Sequence, residues 1–217
     1  MRKFICLFMA ATCLLATDPV SADPVALESG QTSILLDFDL LSVAGLDFGG
    51  FDNDVILPGN LGPDSFAFSI NGRDDADRAT TFTYDSSSFT PVSGTIEHSG
   101  SLFFNLGTVA AGNLSVGYDP LREVGPNSGF FASSTFGLEL LLFDLEEFSV
   151  LDADSDSLEI QANLLISPEL AFLLQNPGLA GTDIGDVLIE GQAIPEPTTA
   201  LVISAWAGVV FARRRRA

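Results

Sequence analysis

Apolar side chains recur at every second position in short runs along the middle of this chain, and turn-forming residues break the runs at close intervals. In Leu36-Asp37-Phe38-Asp39-Leu40 apolar and acidic residues alternate, and Phe66, Phe68 and Ile70 follow the same rule. Leu114-Ser115-Val116-Gly117-Tyr118 and Leu158-Glu159-Ile160-Gln161-Ala162-Asn163-Leu164 repeat it. A period of two places successive side chains on opposite faces of an extended backbone, so each run predicts a strand with one buried and one wet face. The stretch from Phe136 to Phe143 is apolar on both faces after its start and predicts a central strand. Pro58-Gly59-Asn60, Asn71-Gly72, Ser93-Gly94, Ala111-Gly112-Asn113 and Gly125 to Gly129 read as turns.

Strands this short and this often interrupted predict an all-β fold, a single antiparallel β-sandwich or jelly-roll-like domain. One helix is expected within it. Ser167 suits its cap, Pro168 its first position and Glu169 its N-terminal dipole. Leu170, Leu173 and Leu174 offer an apolar face before Asn176-Pro177-Gly178 stops the helix, whose expected role is to cover an edge or end of the sheet.

Charge is distributed as unevenly as hydrophobicity. The chain carries 29 acidic and 9 basic residues, but residues 23–194 hold only Arg73, Arg78 and Arg122 against 27 acids, a net charge of 3 − 27 = −24. So acidic a body argues against nucleic acid as a partner. It contains no lysine, which excludes Schiff-base chemistry, and both cysteines, Cys6 and Cys13, precede it. Fifteen of the eighteen phenylalanines fall inside it, so the core is expected to rest on phenylalanine. About 170 residues suffice to bury a core without disulfides.

The ends have a different grammar. Arg2 and Lys3, the apolar run Phe4 to Ala16, and Val20-Ser21-Ala22 read as a secretory signal peptide over residues 1–22, cleaved after Ala22. The apolar run would span only about 20 Å as a helix, short of a hydrocarbon core of about 30 Å, which disfavours a permanent anchor. At the far end Pro195-Glu196-Pro197 precedes an apolar helix predicted over 198–212, and Arg213, Arg214, Arg215 and Arg216 follow it. This order of tripeptide, short hydrophobic helix and basic cluster resembles the PEP-CTERM sorting tail, which has also been labelled an ice-binding protein C-terminal domain.

The resemblance covers residues 195–217 alone. It implies an exosortase as processing partner, transient anchorage in the inner membrane, and a destination at the cell surface or in a biofilm matrix with exopolysaccharide. The arginines give the matching orientation by themselves, since they hold their end in the cytoplasm and leave the body outside.

Within the body, chemistry is sparse. His98 is the single histidine, and no Gly-x-Ser-x-Gly elbow or other nucleophile context accompanies it, so it reads as an ordinary strand or turn residue. Alternate carboxylates at Asp152, Asp154 and Asp156, with Glu159 nearby, are a candidate calcium site, because a turn can converge oxygen ligands on a hard cation. The run departs from an EF-hand loop, lacking the glycine and the final glutamate; the alternative is a solvated acidic turn. The sequence therefore predicts an exported, non-enzymatic structural or adhesive protein. A calcium-dependent glycan-binding module and a secreted hydrolase are the alternatives.

Overall fold

Alternation produces the expected antiparallel strands, and the sheet they form bends round until its first and last strands meet. A computed structural model describes residues 24–195. Its strands are β1 (Pro24–Leu36), β2 (Phe48–Phe51), β3 (Phe66–Ile70), β4 (Thr83–Asp85), β5 (Thr90–Ser93) and β6 (Ile96–Ser99). They continue with β7 (Ser101–Phe104), β8 (Val109–Tyr118), β9 (Asn127–Gly137), β10 (Leu140–Ala153), β11 (Ser157–Ile166) and β12 (Asp183–Pro195). Two short helices accompany them, α1 (Phe38–Val43) and α2 (Pro168–Leu173).

Eight strands close a ring in the order β1-β12-β11-β10-β9-β8-β6-β3, and β3 returns to β1. All these pairings are antiparallel, and the β1–β12 seam is paired from Val25↔Pro195 to Leu36↔Gly185. Closure removes the free edges that an open sandwich would carry. The remaining strands are appendages: β4 and β5 extend from the start of β1, while β2 pairs β7, which lies against the first half of β8.

The ring encloses the core. In β11 the side chains of Leu158, Ile160, Ala162 and Leu164 are buried, while Glu159, Gln161 and Asn163 between them face outward. Phe66, Phe68, Phe82, Tyr84 and Phe130 fill much of the interior, with Phe66 and Phe68 at 5.7 Å in an edge-to-face arrangement. Burial of this kind contributes about 25 cal/mol per Å² of apolar surface and dominates the stability of such a barrel. The phenylalanine core is as the composition suggests.

Three local expectations are corrected. Leu36 to Leu40 is not one strand, because β1 stops at Leu36 and Asp37 caps α1, accepting the Leu40 amide at 2.9 Å. An aspartate at that position satisfies an orphan helix donor, and this outweighs the strand periodicity. Phe136 to Phe143 is likewise not a central strand: β9 ends at Gly137, whose φ of 75° turns the chain into β10. Ala111-Gly112-Asn113 lies inside β8, where a Cβ on Gly112 would sit 2.3 Å from Ser101 Oγ, so this glycine serves close packing and not a turn.

The predicted helix is present as α2. Ser167 Oγ accepts the Leu170 amide at 3.0 Å, and Leu170 and Ala171 are buried. Leu173, expected on the apolar face, is instead half exposed beside Phe172, which is 79% exposed.

Candidate functional site

The two chain ends of the described body meet. Because β1 and β12 are antiparallel neighbours, Pro24 and Pro195 lie together at one end of the barrel. Pro195, the first residue of the sorting tripeptide, is the last residue of β12 and is paired with Val25. Glu196, Pro197 and Arg213 to Arg216 lie outside the described residues, as do the signal peptide and the tail helix. No described helix is long and apolar enough to cross a membrane.

The acidic turn sits at that same end. Asp152 belongs to β10, Asp154 and Asp156 form the connection, and Glu159 lies in β11 opposite Asp152. Asp154 Oδ1 accepts the backbone amides of Asp156 at 2.7 Å and Ser157 at 2.8 Å, and these bonds hold its carboxyl below the usual range. Ser157 Oγ donates to Asp152 Oδ2 at 2.6 Å. Two of the four carboxylates are thus occupied in shaping the turn. Among the described residues no group of three or more His, Cys, Asp or Glu side chains is arranged to hold a metal ion.

Tyr84 reaches this turn from β4. Its hydroxyl donates toward the carbonyls of Asp154 at 2.9 Å and Ser157 at 3.1 Å. Burial first, and then the Asp154 and Asp152 charges, push its phenol up to about 12. The phenol therefore stays a donor and latches the β10–β11 turn to the start of β1.

His98 is fully buried in β6. Its Nδ1 is 3.0 Å from the Leu114 carbonyl, which only accepts, so Nδ1 carries the proton and Nε2 accepts from Thr32 Oγ1 at 2.7 Å. Burial lowers its pKa to about 4, against the smaller opposing pull of the Leu114 carbonyl. The imidazole is neutral at pH 7, with both ring nitrogens engaged.

The sequence did not single out what two arginines do. Arg122, between β8 and β9, makes two bonds to Asp144 of β10 at 2.7 and 3.0 Å and two to Glu169 of α2 at 2.9 and 3.2 Å. Asp144 is only 3% exposed. The two carboxylates, Asp144 above all, raise the Arg122 pKa, and Arg122 in turn lowers that of Glu169. The fork–carboxylate geometry of arginine is what allows both pairs at once.

Arg78 sits in the loop between β3 and β4. It donates to Glu97 Oε2 at 2.5 Å, to the Asn113 carbonyl at 2.6 Å and to Thr135. Glu97 Oε1 also accepts Ser115 and Thr95 hydroxyls at 2.6 and 2.7 Å. The signal that would have found both clusters is the rarity of cations in a body of 27 acids: each is too valuable electrostatically to be left on the surface.

At the opposite end from Pro195, the β9–β10 turn and α2 border an open groove of about 1,050 Å³ lined by Leu138, Leu140, Pro168, Phe172 and Leu173. It is mainly apolar, with Glu139 and Glu169 also in its lining.

No family model and no curated protein matches the chain. Among solved structures it is similar to the C-terminal domain of HtaA from Corynebacterium glutamicum, at 16% identity and a TM-score of 0.47, over 77% of this chain and 99% of that one. At that level the likeness says nothing about what the chain does.

Proposed function

We propose that the chain is an exported, non-enzymatic cell-surface or extracellular-matrix protein, delivered by its signal peptide and released or transferred when an exosortase acts at Pro195-Glu196-Pro197. One observation carries the reading best: β1 and β12 pair along the closing seam of the barrel and bring Pro24 and Pro195 to one end. A leader and a tail joined there can both be removed without withdrawing a strand from the ring. The body that remains is held by its own seam.

The acidic body supports a structural role. Residues 23–194 hold 27 acids against Arg73, Arg78 and Arg122, and Arg78 and Arg122 are engaged in ion pairs, so acid far outnumbers cation in the body. Such a surface hydrates strongly, resists self-association and bridges divalent ions in a matrix. The burial of His98, with both nitrogens hydrogen-bonded, supports a non-enzymatic reading because the one histidine of the body has no free face for a substrate.

The test is mass mapping of both termini of the native protein after separating inner membrane, outer membrane and medium. A chain starting at Asp23 and lacking Arg213 to Ala217, found outside the inner membrane, is the expected result. An intact arginine tail in the inner membrane would make this a tail-anchored periplasmic protein and end the matrix reading.

A further inference from the structure

The closing seam carries a dent in its outer wall. Pairing slips by one residue between Leu27 and Ser29, so Glu28 is an extra residue on β1. Just beyond the slip Gly30 and Gly191 stand directly opposite each other. Neither tolerates a side chain: a Cβ on Gly30 would lie 2.1 Å from the Glu190 carbonyl oxygen, and one on Gly191 would lie 2.3 Å from Leu27 Cδ1. Bulges of this kind re-aim the flanking side chains and favour ligand sites.

The flanking side chains are polar and converge. Ser29, Gln31, Glu190 and Gln192 line an open cleft of about 420 Å³, and Ile56, 38% exposed, forms an aliphatic wall. Asn60 Nδ2 donates to Glu190 Oε2 at 2.6 Å and fixes that carboxylate. The other bonds are long: Gln31 Nε2 to Glu190 Oε2 is 3.4 Å and Ser29 Oγ to Gln192 Oε1 is 3.3 Å. Contacts at that length are readily exchanged for a ligand's own hydroxyls.

We propose that this cleft binds a neutral saccharide. Two amides supply donors and acceptors together, the oriented carboxylate accepts from a pair of vicinal hydroxyls, and Ile56 covers a C–H face of the ring. No lining residue is cationic, so a phosphate or uronate would meet Glu190 without a counter-charge. The site needs no metal, and it goes beyond the surface-protein reading because it holds whether or not the tail is processed.

The experiment uses the full-length protein in a detergent without a sugar headgroup, run through affinity gels containing dextran, a mixed-linkage β-glucan, a galactomannan, alginate or polygalacturonate. Retardation by at least one neutral polymer and by neither acidic one is expected. The double variant Gln31→Ala, Gln192→Ala should weaken that retention at least tenfold, while Gln161→Ala, on the wall of β11, leaves it unchanged. If the double variant melts early, the single Gln192→Glu, which keeps the side-chain shape, carries the same expected loss. The proposal is overturned if no neutral polymer retards the protein, if the acidic polymers bind equally well, or if folded cleft variants bind like the parent.

Discussion

The outer wall of the barrel has two characters. Over β6, β8, β9 and β10 the loops carrying Arg78 and Arg122 lie against the strands, and the half-buried Glu97 and the buried Asp144 are paired with their guanidinium groups. Over β11 and β12 carboxylates stand in a row: Asp152, Glu159 and Glu190 are directly opposed across β10, β11 and β12, and Arg78 and Arg122 pair elsewhere. The difference shows how a chain with so few cations arranges them. An unpaired carboxylate costs little in water and several kcal/mol when buried, so the arginines go where loops must cover acid. The uncovered wall keeps its negative charge and remains available as surface.

Removing a clamp is the strongest way to break this contrast. Arg122→Met leaves Asp144 buried without its partner and is expected to destabilise the protein by about 3 kcal/mol in urea unfolding. Pairing it with Asp144→Leu should recover most of that loss, because the penalty comes from the orphaned charge. A double variant no more stable than the single one would show that Arg122 acts through α2 and Glu169 instead.

The interior behind the covered wall gives a pH signature of similar size. His98 titrates near 4 in the folded protein and near 6.5 when unfolded, so between these values the unfolded chain binds more protons. Stability is therefore full above about pH 6.5 and falls as the pH drops toward 4, by about 3 kcal/mol in all. Unfolding followed from pH 7.5 to 4 should show this slope in the parent and a flatter one in His98→Gln. Equal slopes would mean that the carboxylates, not the imidazole, govern the window.

The uncovered wall should respond least and with the opposite sign. Glu159→Gln relieves repulsion from Glu190 directly across the ladder and should stabilise by about 0.3 kcal/mol at low salt, an increment that disappears at high salt. A loss of stability there would show that Glu159 has a favourable partner and that the two walls are less different than their charges indicate.

Much of the strand set was legible because burial imposes a period of two wherever one face must be apolar. Phe66 to Ile70 and Leu158 to Leu164 are strands for that reason. The α2 cap was legible because Ser167 and Pro168 act locally. Reading failed where a residue had two uses. Asp37 looked like the wet face of a strand and is a helix cap, and Gly112 looked like a turn and makes room for Ser101. At Asp152 to Asp156 the spacing left a cation site and a solvated turn both open, and the structure adds that Asp154 shapes the turn by accepting the Asp156 and Ser157 amides.

By itself, the sequence determined the all-β antiparallel character, the phenylalanine core and the excess of acid, since these follow from side-chain alternation and composition. Only the tertiary structure decided that β12 returns to β1 and closes the ring, because strand partners far apart in the chain leave no local trace. The same holds for Arg122 with Asp144 and Glu169, for Thr32 with His98, and for the dent at Gly30 and Gly191. Each joins residues separated by 22 or more positions, and the pairing of buried polar groups is settled by which strands become neighbours.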